Sequence, residues 1–273
     1  MGKASLHAML GHYPHSVPNA TLGYPGKPVN GGSNPRFYEF DDRVTRLVKW
    51  HPSGHGAKAC YNELVASRLG QLIDAPMLRG IVVYVPDEVI PAEHKAIGAK
   101  QGFHFAVTRL VGENFVPARH YSEIENSTEL PTAAVLLAWL TVGDQDGHNQ
   151  YLQRETRDEE GKAKPTKLFL LVDMGQMFRS FNWTAENIAG PPAAYTIPPH
   201  IADKIIMPSL VPVMAKLRSI TDNDIRACFT DRPEEWGIPD ADATAGANRV
   251  IAWRDGIENV VRTGNPNIKK DGG

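Results

Sequence analysis

The stretch that decides the fold reads Gly143-Asp144-Gln145-Asp146-Gly147-His148-Asn149, and Asp173-Met174-Gly175 follows 24 residues after Asn149. An apolar run, 134–140, leads into the first stretch, and a second apolar run, 168–172, ends at Asp173. Such runs form buried elements, so the acids emerge from the protein interior. Carboxylate and amide oxygens suit Mg²⁺, which completes its coordination with phosphate oxygens and water. The two stretches therefore predict a site for a divalent metal and a phosphate chain.

The spacing inside these stretches makes the prediction more specific. Asp144 and Asn149 are five residues apart, the interval of the Asp-x-x-x-x-Asn catalytic loop of protein kinases. In that loop the aspartate accepts the hydroxyl proton of the phosphate acceptor, and the asparagine binds magnesium. Asp173, followed by Gly175, stands where the metal-binding Asp-Phe-Gly segment would stand. We therefore predict a phosphotransferase that uses ATP and Mg²⁺, with Asp144 as base and Asn149 and Asp173 as metal ligands.

Two other interpretations of the first stretch remain open. Asp144 and Asp146 could begin a calcium-binding loop, but His148 stands where an oxygen ligand is needed and no glutamate follows at the twelfth position. Alternatively, the two aspartates and His148 could be the metal ligands of a hydrolase, because histidine with aspartate suits zinc or manganese. That interpretation leaves Lys49, Glu63 and the glycine-rich segment at 31–33 without a role.

A glycine-rich segment precedes a predicted β-hairpin. The hairpin consists of Arg36–Phe40 and Val44–Trp50, joined by two aspartates. Lys49 lies in its second strand, either as a solvent-exposed edge residue or as a lysine that reaches phosphate oxygens. Glycine-rich backbone lets amide groups approach an anion without obstruction by side chains. The segment that would cover the phosphates is Gly31, Gly32 and Ser33.

The next predicted element is an amphipathic helix from Lys58 to Ile73. Apolar residues recur at three- and four-residue steps, and Pro76 ends the helix because the residue before a proline avoids the helical region. Glu63 lies off the apolar stripe, on a face rich in small residues that another element can approach closely. Glu63 is therefore either a solvated helix residue or the partner of Lys49 across a cleft.

The remaining elements predict an α+β chain with two lobes, as in protein kinases. The predicted boundaries are an irregular arm at 1–27, a β-rich N-lobe at 28–112, a mainly helical C-lobe at 113–262 and a flexible tail at 263–273. Residues 1–35 show no helical or strand period. Further strands are predicted at 81–85, 103–111, 151–154 and 167–172, and further helices at 131–140, 201–217, 222–229 and 243–261.

Composition excludes several classes of function. The chain has 273 residues, with 29 basic and 31 acidic ones, so bulk charge gives no support for nucleic-acid or membrane-surface binding. No apolar run approaches the roughly 20 residues that span a bilayer. Only Cys60 and Cys228 are present, too few for a disulfide framework or a cysteine zinc site, so we expect a cytoplasmic protein.

Taken together, these segments resemble the HipA-like kinases, specifically stand-alone bacterial HipA-like kinase domains, and more distantly the phosphatidylinositol 3- and 4-kinases. The resemblance covers roughly residues 28–262, and its most specific parts are the helix around Asn62-Glu63-Leu64 and the segment 139–149. The other matching segments are 31–35, 47–49, 102–105 and 171–178.

The resemblance implies a two-lobed kinase that binds ATP in the cleft and phosphorylates Ser or Thr of a protein. It implies that Lys49 binds phosphates and pairs with Glu63, and that the backbone at Thr108, Arg109 and Leu110 meets adenine. Two departures, Gln145 after the catalytic aspartate and Met174 after Asp173, leave open a pseudokinase that binds nucleotide without turnover. A small-molecule or lipid acceptor is a further alternative. Ser33 is either an autophosphorylation site or a hydroxyl that caps its own loop.

Overall fold

The computed structural model describes residues 17–25, 34–52, 56, 58–109, 114–117, 129–142, 151–157, 159–160, 163–188 and 205–264. In these residues the chain forms eight strands and seven helices. The strands are β1 (Ala20–Gly23), β2 (Arg36–Phe40), β3 (Thr45–Lys49), β4 (Gly80–Val85), β5 (Gly102–Thr108), β6 (Asn114–Pro117), β7 (Tyr151–Arg157) and β8 (Ala163–Leu171). The helices are α1 (Ala59–Leu72), α2 (Ala92–Lys95), α3 (Leu130–Leu140), α4 (Met207–Ser219), α5 (Asp222–Thr230), α6 (Asp240–Arg254) and α7 (Ile257–Gly264).

Five strands form a curled antiparallel sheet in the order β1-β2-β3-β5-β4. The predicted hairpin of β2 and β3 is confirmed, with Phe37 opposite Leu47. The Tyr84 amide donates to the Pro18 carbonyl at 3.0 Å, which draws the two edges of the sheet together into a half-barrel. Because strand side chains alternate, Val48 packs inside the curl and Lys49 points to the opposite face, toward α1.

Helix α1 lies between this sheet and the C-terminal helices. Its first twelve residues, Ala59 to Gly70, are all buried. The Tyr61 hydroxyl donates to the Phe229 carbonyl at 2.9 Å, and the Arg68 guanidinium forms an ion pair with Asp231 at 3.0 Å. The boundaries of this helix agree with the prediction, but it is buried on all sides because separate elements cover both of its faces.

Helix α3 forms the centre of the larger hydrophobic core, and all eleven of its residues are buried. It has a proline in its first turn, at Pro131, and its Trp139 indole donates to the Val250 carbonyl at 2.8 Å. It ends at Leu140, three residues before the predicted catalytic stretch, and Thr141 is its C-cap. Strands β7 and β8 pair with each other and lead the chain to Asp173.

The structure differs from the sequence-based prediction at a few elements. Residues 1–35 were expected to be irregular, yet Ala20–Gly23 forms an edge strand paired with β2. The helix expected over 243–261 is two helices, α6 and α7, separated by a turn at Asp255 and Gly256. Of the helix expected over 201–217, residues 201–204 lie outside the described residues, and α4 begins at Met207. None of the helices in the described part of the chain is long and apolar enough to span a bilayer.

Candidate functional site

Five of the predicted site residues fall in the described part of the chain: Lys49, Glu63, Thr108, Arg109 and Asp173. The others lie outside it, and these are Gly31, Gly32, Ser33, Leu110, Asp144 and Asn149.

Lys49 brings the site together. It lies at the end of β3, opposite Phe105 of β5, and its Nζ donates to Glu63 Oε1. The same Nζ donates to Asp173 Oδ1 at 3.1 Å, across 124 residues of sequence. The three charged groups, predicted separately from sequence, thus meet at one point between β3, α1 and the end of β8.

Burial differs among the three side chains. The Glu63 side chain is 7% exposed and that of Lys49 is 18% exposed, whereas that of Asp173 is 58% exposed. The Lys49–Glu63 pair therefore forms the wall of the site. Asp173 presents its carboxylate to the solvent and is the member that can bind a ligand.

The electrostatics favour a permanently charged lysine. Burial opposes the Lys49 ammonium, but the carboxylates of Glu63 and Asp173 outweigh it, and the pKa of Lys49 is raised. Burial also raises the pKa of Glu63 above its usual range, against the effect of Lys49 and of a hydrogen bond from the Met174 amide. A fixed positive charge beside an exposed carboxylate suits the phosphate chain and bound cation of a nucleotide.

The backbone around Asp173 is held in an uncommon conformation. Asp173 has φ 62°, in the left-handed region that residues other than glycine rarely adopt. The chain is anchored on both sides of it, because the Leu171 amide donates to the Pro76 carbonyl at 2.7 Å and the Asn62 side chain donates to the Gly175 carbonyl at 2.6 Å. Such conformations persist where the surroundings determine them, and they cluster at functional sites.

Three further left-handed residues lie close to this segment in the chain or in space. Thr141 has φ 48°, Phe178 has φ 58° and Arg179 has φ 59°. The Arg179 amide donates to the Thr141 carbonyl at 3.0 Å. The segment after Asp173 is thereby joined to the end of α3, two residues before the stretch 143–149.

Asn62 is a residue at this site to which the sequence analysis gave no role. It is fully buried, and its side chain contacts the carbonyl oxygen of Gly175 at 2.6 Å and the indole of Trp183 at 2.9 Å. The available signal was an amide next to Glu63 in a helix segment whose neighbours Tyr61 and Leu64 are apolar.

Thr108 and Arg109 lie exposed at the end of β5. They follow Phe105 by three and four residues, which places them about 10–14 Å along the strand from the level of Lys49. The Arg109 guanidinium lies 4.8 Å from the centroid of the Phe37 ring. Because Phe37 is opposite Leu47 and shares the face of Lys49, Arg109 lies on the same face of the sheet as the charged site.

The described residues of the site are compatible with a magnesium ion. Among the described residues there is no group of three or more histidine, cysteine, aspartate or glutamate side chains that could hold a metal. Asp173 offers one exposed carboxylate, and Asn149 lies outside the described residues. Magnesium is commonly bound by one or two protein oxygens together with substrate phosphates, so this single carboxylate is consistent with that mode.

Comparison with known proteins identifies the fold. No family model matches the chain, and no curated protein sequence does. The structure is similar to that of the Helicobacter pylori proinflammatory kinase CtkA, with a TM-score of 0.57 at 11% sequence identity, over 91% of this chain and 98% of that chain. The chain has a kinase-like fold. A structure of the Golgi casein kinase, also solved with Mn/ADP bound, aligns with a TM-score of 0.45 at 10% identity, over 97% of this chain and 78% of that chain.

The predicted fold class, α+β with the two-lobed architecture of protein kinases, is therefore confirmed. At 11% identity the similarity shows the fold alone.

Proposed function

We propose that this protein is a HipA-like, ATP-dependent phosphotransferase that uses ATP and Mg²⁺ and phosphorylates Ser or Thr of a protein. The observation that supports the proposal is the contact of Lys49 with both Glu63 and Asp173 in a kinase-like fold. In protein kinases a strand lysine pairs with a helix glutamate, and both this pair and a metal-binding aspartate must be in place for transfer.

Each residue has a distinct task in this proposal. The Lys49 ammonium orients the phosphate chain, and Glu63 holds it in place from the buried side. Asp144 accepts the proton of the acceptor hydroxyl as the γ-phosphate is transferred to that oxygen. Asp173 and Asn149 would hold the magnesium ion, which neutralises charge on the phosphate oxygens when bound. The nucleotide would also meet the backbone of Gly31, Gly32, Ser33, Thr108, Arg109 and Leu110.

The exposure of Asp173 matches this task. Its carboxylate shares Lys49 with Glu63, but it is the exposed member of the three. It can turn from the ammonium to a cation without leaving an unpaired buried charge, because Glu63 stays on Lys49. The preformed Lys49–Glu63 pair therefore needs little rearrangement to bind the nucleotide.

The test is transfer of labelled γ-phosphate from ATP by the purified full chain to itself or to a Ser/Thr-containing protein acceptor. Asp144→Asn should lower the transfer rate by about 100-fold or more, because general-base catalysis contributes ~10²–10⁴-fold. Nucleotide binding should change little. Asp146→Asn is the matched control, with the same chemical change two residues away, and it should retain transfer.

The outcomes separate the alternatives. Undiminished transfer by Asp144→Asn would show that the base is another residue. A wild-type protein that binds ATP with magnesium, but neither hydrolyses nor transfers its phosphate, would be a nucleotide-binding pseudokinase. Transfer to a small hydroxylated molecule or lipid headgroup, but not to protein, would show that the acceptor is not a protein.

A further inference from the structure

Both polar atoms of the Asn62 side-chain amide are hydrogen-bonded, and their partners allow only one orientation of the amide. Its Nδ2 donates to the Gly175 carbonyl at 2.6 Å and approaches the Ser180 carbonyl at 3.4 Å. Its Oδ1 accepts from the Trp183 indole at 2.9 Å. The orientation follows from its partners, because an indole N–H can only donate and a carbonyl oxygen can only accept.

Two adjacent residues of α1 lie against the segment after Asp173. Asn62 donates to the carbonyl of Gly175 at 2.6 Å, and Glu63 Oε1 lies 3.7 Å from the position that a Cβ on Gly175 would occupy. Glu63 also contacts Lys49, so one helical turn is bonded to two sides of the site. On the other side of Asp173, the Leu171 amide donates to the Pro76 carbonyl and holds the chain there.

The segment needs such support because its backbone is strained. Asp173 is left-handed at φ 62°, and the chain returns to the left-handed region at Phe178 and Arg179. A strained backbone relaxes when its anchors are removed. The Asp173 side chain is largely exposed, so packing around that side chain does not by itself fix the direction of the carboxylate.

We infer that Asn62 is a positioning residue, whose bond to the Gly175 carbonyl fixes the direction in which Asp173 presents its carboxylate to a nucleotide-bound divalent cation. This inference rests on the proposed function of the site, since it assigns Asp173 to the cation. It goes further in that it gives the metal site a buried support on α1. Groups that orient a metal ligand typically contribute ~10–100-fold to metal affinity.

The test measures how strongly magnesium enhances the binding of ADP, by calorimetric titration of the full chain with and without MgCl₂. Asn62→Ser removes the amide donor, and it should lower the magnesium enhancement about tenfold while leaving metal-free ADP affinity close to wild type. Trp183→Phe is the matched control. It removes the other buried hydrogen bond of Asn62 and leaves the bond to Gly175, so the enhancement should stay near wild type.

A second variant keeps the inference testable if Asn62→Ser does not fold. Asn62→Asp preserves the shape and the acceptor for Trp183, but a carboxylate facing the Gly175 carbonyl cannot donate. Burial raises the pKa of such a carboxyl group, so protonation near pH 6 should restore a donor and with it the magnesium enhancement that is lost at pH 8. Wild type should show no such recovery on acidification.

The results distinguish this inference from the proposed function. Wild-type magnesium enhancement in Asn62→Ser, or an equal loss in Trp183→Phe, would reduce Asn62 to a packing residue. So would an Asn62→Asp variant whose enhancement does not depend on pH. A wild-type protein that couples ADP to magnesium but transfers no phosphate would refute the kinase activity and leave the role of Asn62 standing. Absence of magnesium-dependent ADP binding in wild type would overturn both.

Discussion

Neutralising Glu63 and Lys49, singly and together, tests the central contact of the site. In Glu63→Gln the side chain keeps its size and shape, but the charge facing Lys49 is lost. In Lys49→Met the buried carboxylate of Glu63 loses its ammonium partner. The double variant, Lys49→Met with Glu63→Gln, contains neither charge.

The magnitude follows from the burial of the pair. Removing one partner of a buried ion pair destabilises a protein by ~3–5 kcal/mol. We expect the lower end, about 3 kcal/mol, for Glu63→Gln, because Asp173 remains 3.1 Å from Lys49 and is itself well solvated. For a chain of this size that corresponds to a fall of roughly 6–12 °C in Tm.

The double variant should be far more stable than the sum of the single effects predicts. Replacing both members of a buried pair by neutral groups of similar size is often nearly neutral, so we expect a coupling free energy of about 2–3 kcal/mol. The measurement is equilibrium urea unfolding at neutral pH, followed by circular dichroism and tryptophan fluorescence on all four proteins. The m-value should be the same for each of them.

A matched control comes from an exposed ion pair of the same charge types. Lys95 and Asp87 are 2.7 Å apart with side chains 41% and 59% exposed, and the cycle of Lys95→Met with Asp87→Asn should give a coupling of ~0–1 kcal/mol. If the coupling free energy of the Lys49 and Glu63 substitutions is also only ~0–1 kcal/mol, the two charges do not form a desolvated pair. The buried Lys49–Glu63 contact would then be wrong.

Two further predictions concern pH and buried groups. Burial lowers the pKa of His104 to about 4, whereas the unfolded residue titrates near 6.5. The shift contributes roughly 3 kcal/mol to the free energy of unfolding above pH 6.5, and this contribution is lost as the pH falls toward 4, because the unfolded state binds the proton first. His104→Gln should remove that part of the acid dependence in urea unfolding, and an unchanged dependence would contradict it. Burial raises the pKa of Cys60 and Cys228 to about 12, so the native thiols should react with a disulfide reagent near pH 9 only as fast as the protein opens. Because unfolded thiols ionise near pH 9, the free energy of unfolding should fall between pH 9 and pH 12, and it should fall less steeply in Cys60→Ala. Immediate reaction of the thiols in the native state would show that they are not buried.

Elements with strong local signals were predictable from sequence. The hairpin of β2 and β3 follows from two β-prone runs joined by two aspartates, and the two strands pair as predicted. Helix α3 follows from an apolar run with a proline in its first turn. Elements with weak local signals were not predictable, and the clearest case is the four-residue strand Ala20–Gly23, which exists because it pairs with β2 and not because of its own pattern.

The residues of the candidate site also divide into those that the sequence predicted and one that it did not. Lys49, Glu63 and Asp173 were chosen from residue type, order and spacing, and the structure places them in contact. Asn62 was missed because its partners, Gly175 and Trp183, are 113 and 121 residues away along the chain. A buried amide whose partners are distant in the chain leaves no periodic pattern in the sequence around it.

By itself, the sequence determined the strands and helices that have strong local signals and the charged residues that they carry. It did so because hydrophobic periodicity, turn residues and helix-breaking prolines act over a few residues. Only the tertiary structure decided that Lys49 is shared between Glu63 and Asp173, and that Asp173 is the exposed member. It also decided that the first twelve residues of α1 are all buried, with Asn62 bonded to the segment after Asp173. These features depend on which distant surfaces pack together, and burial then sets the strength of each charge and hydrogen bond.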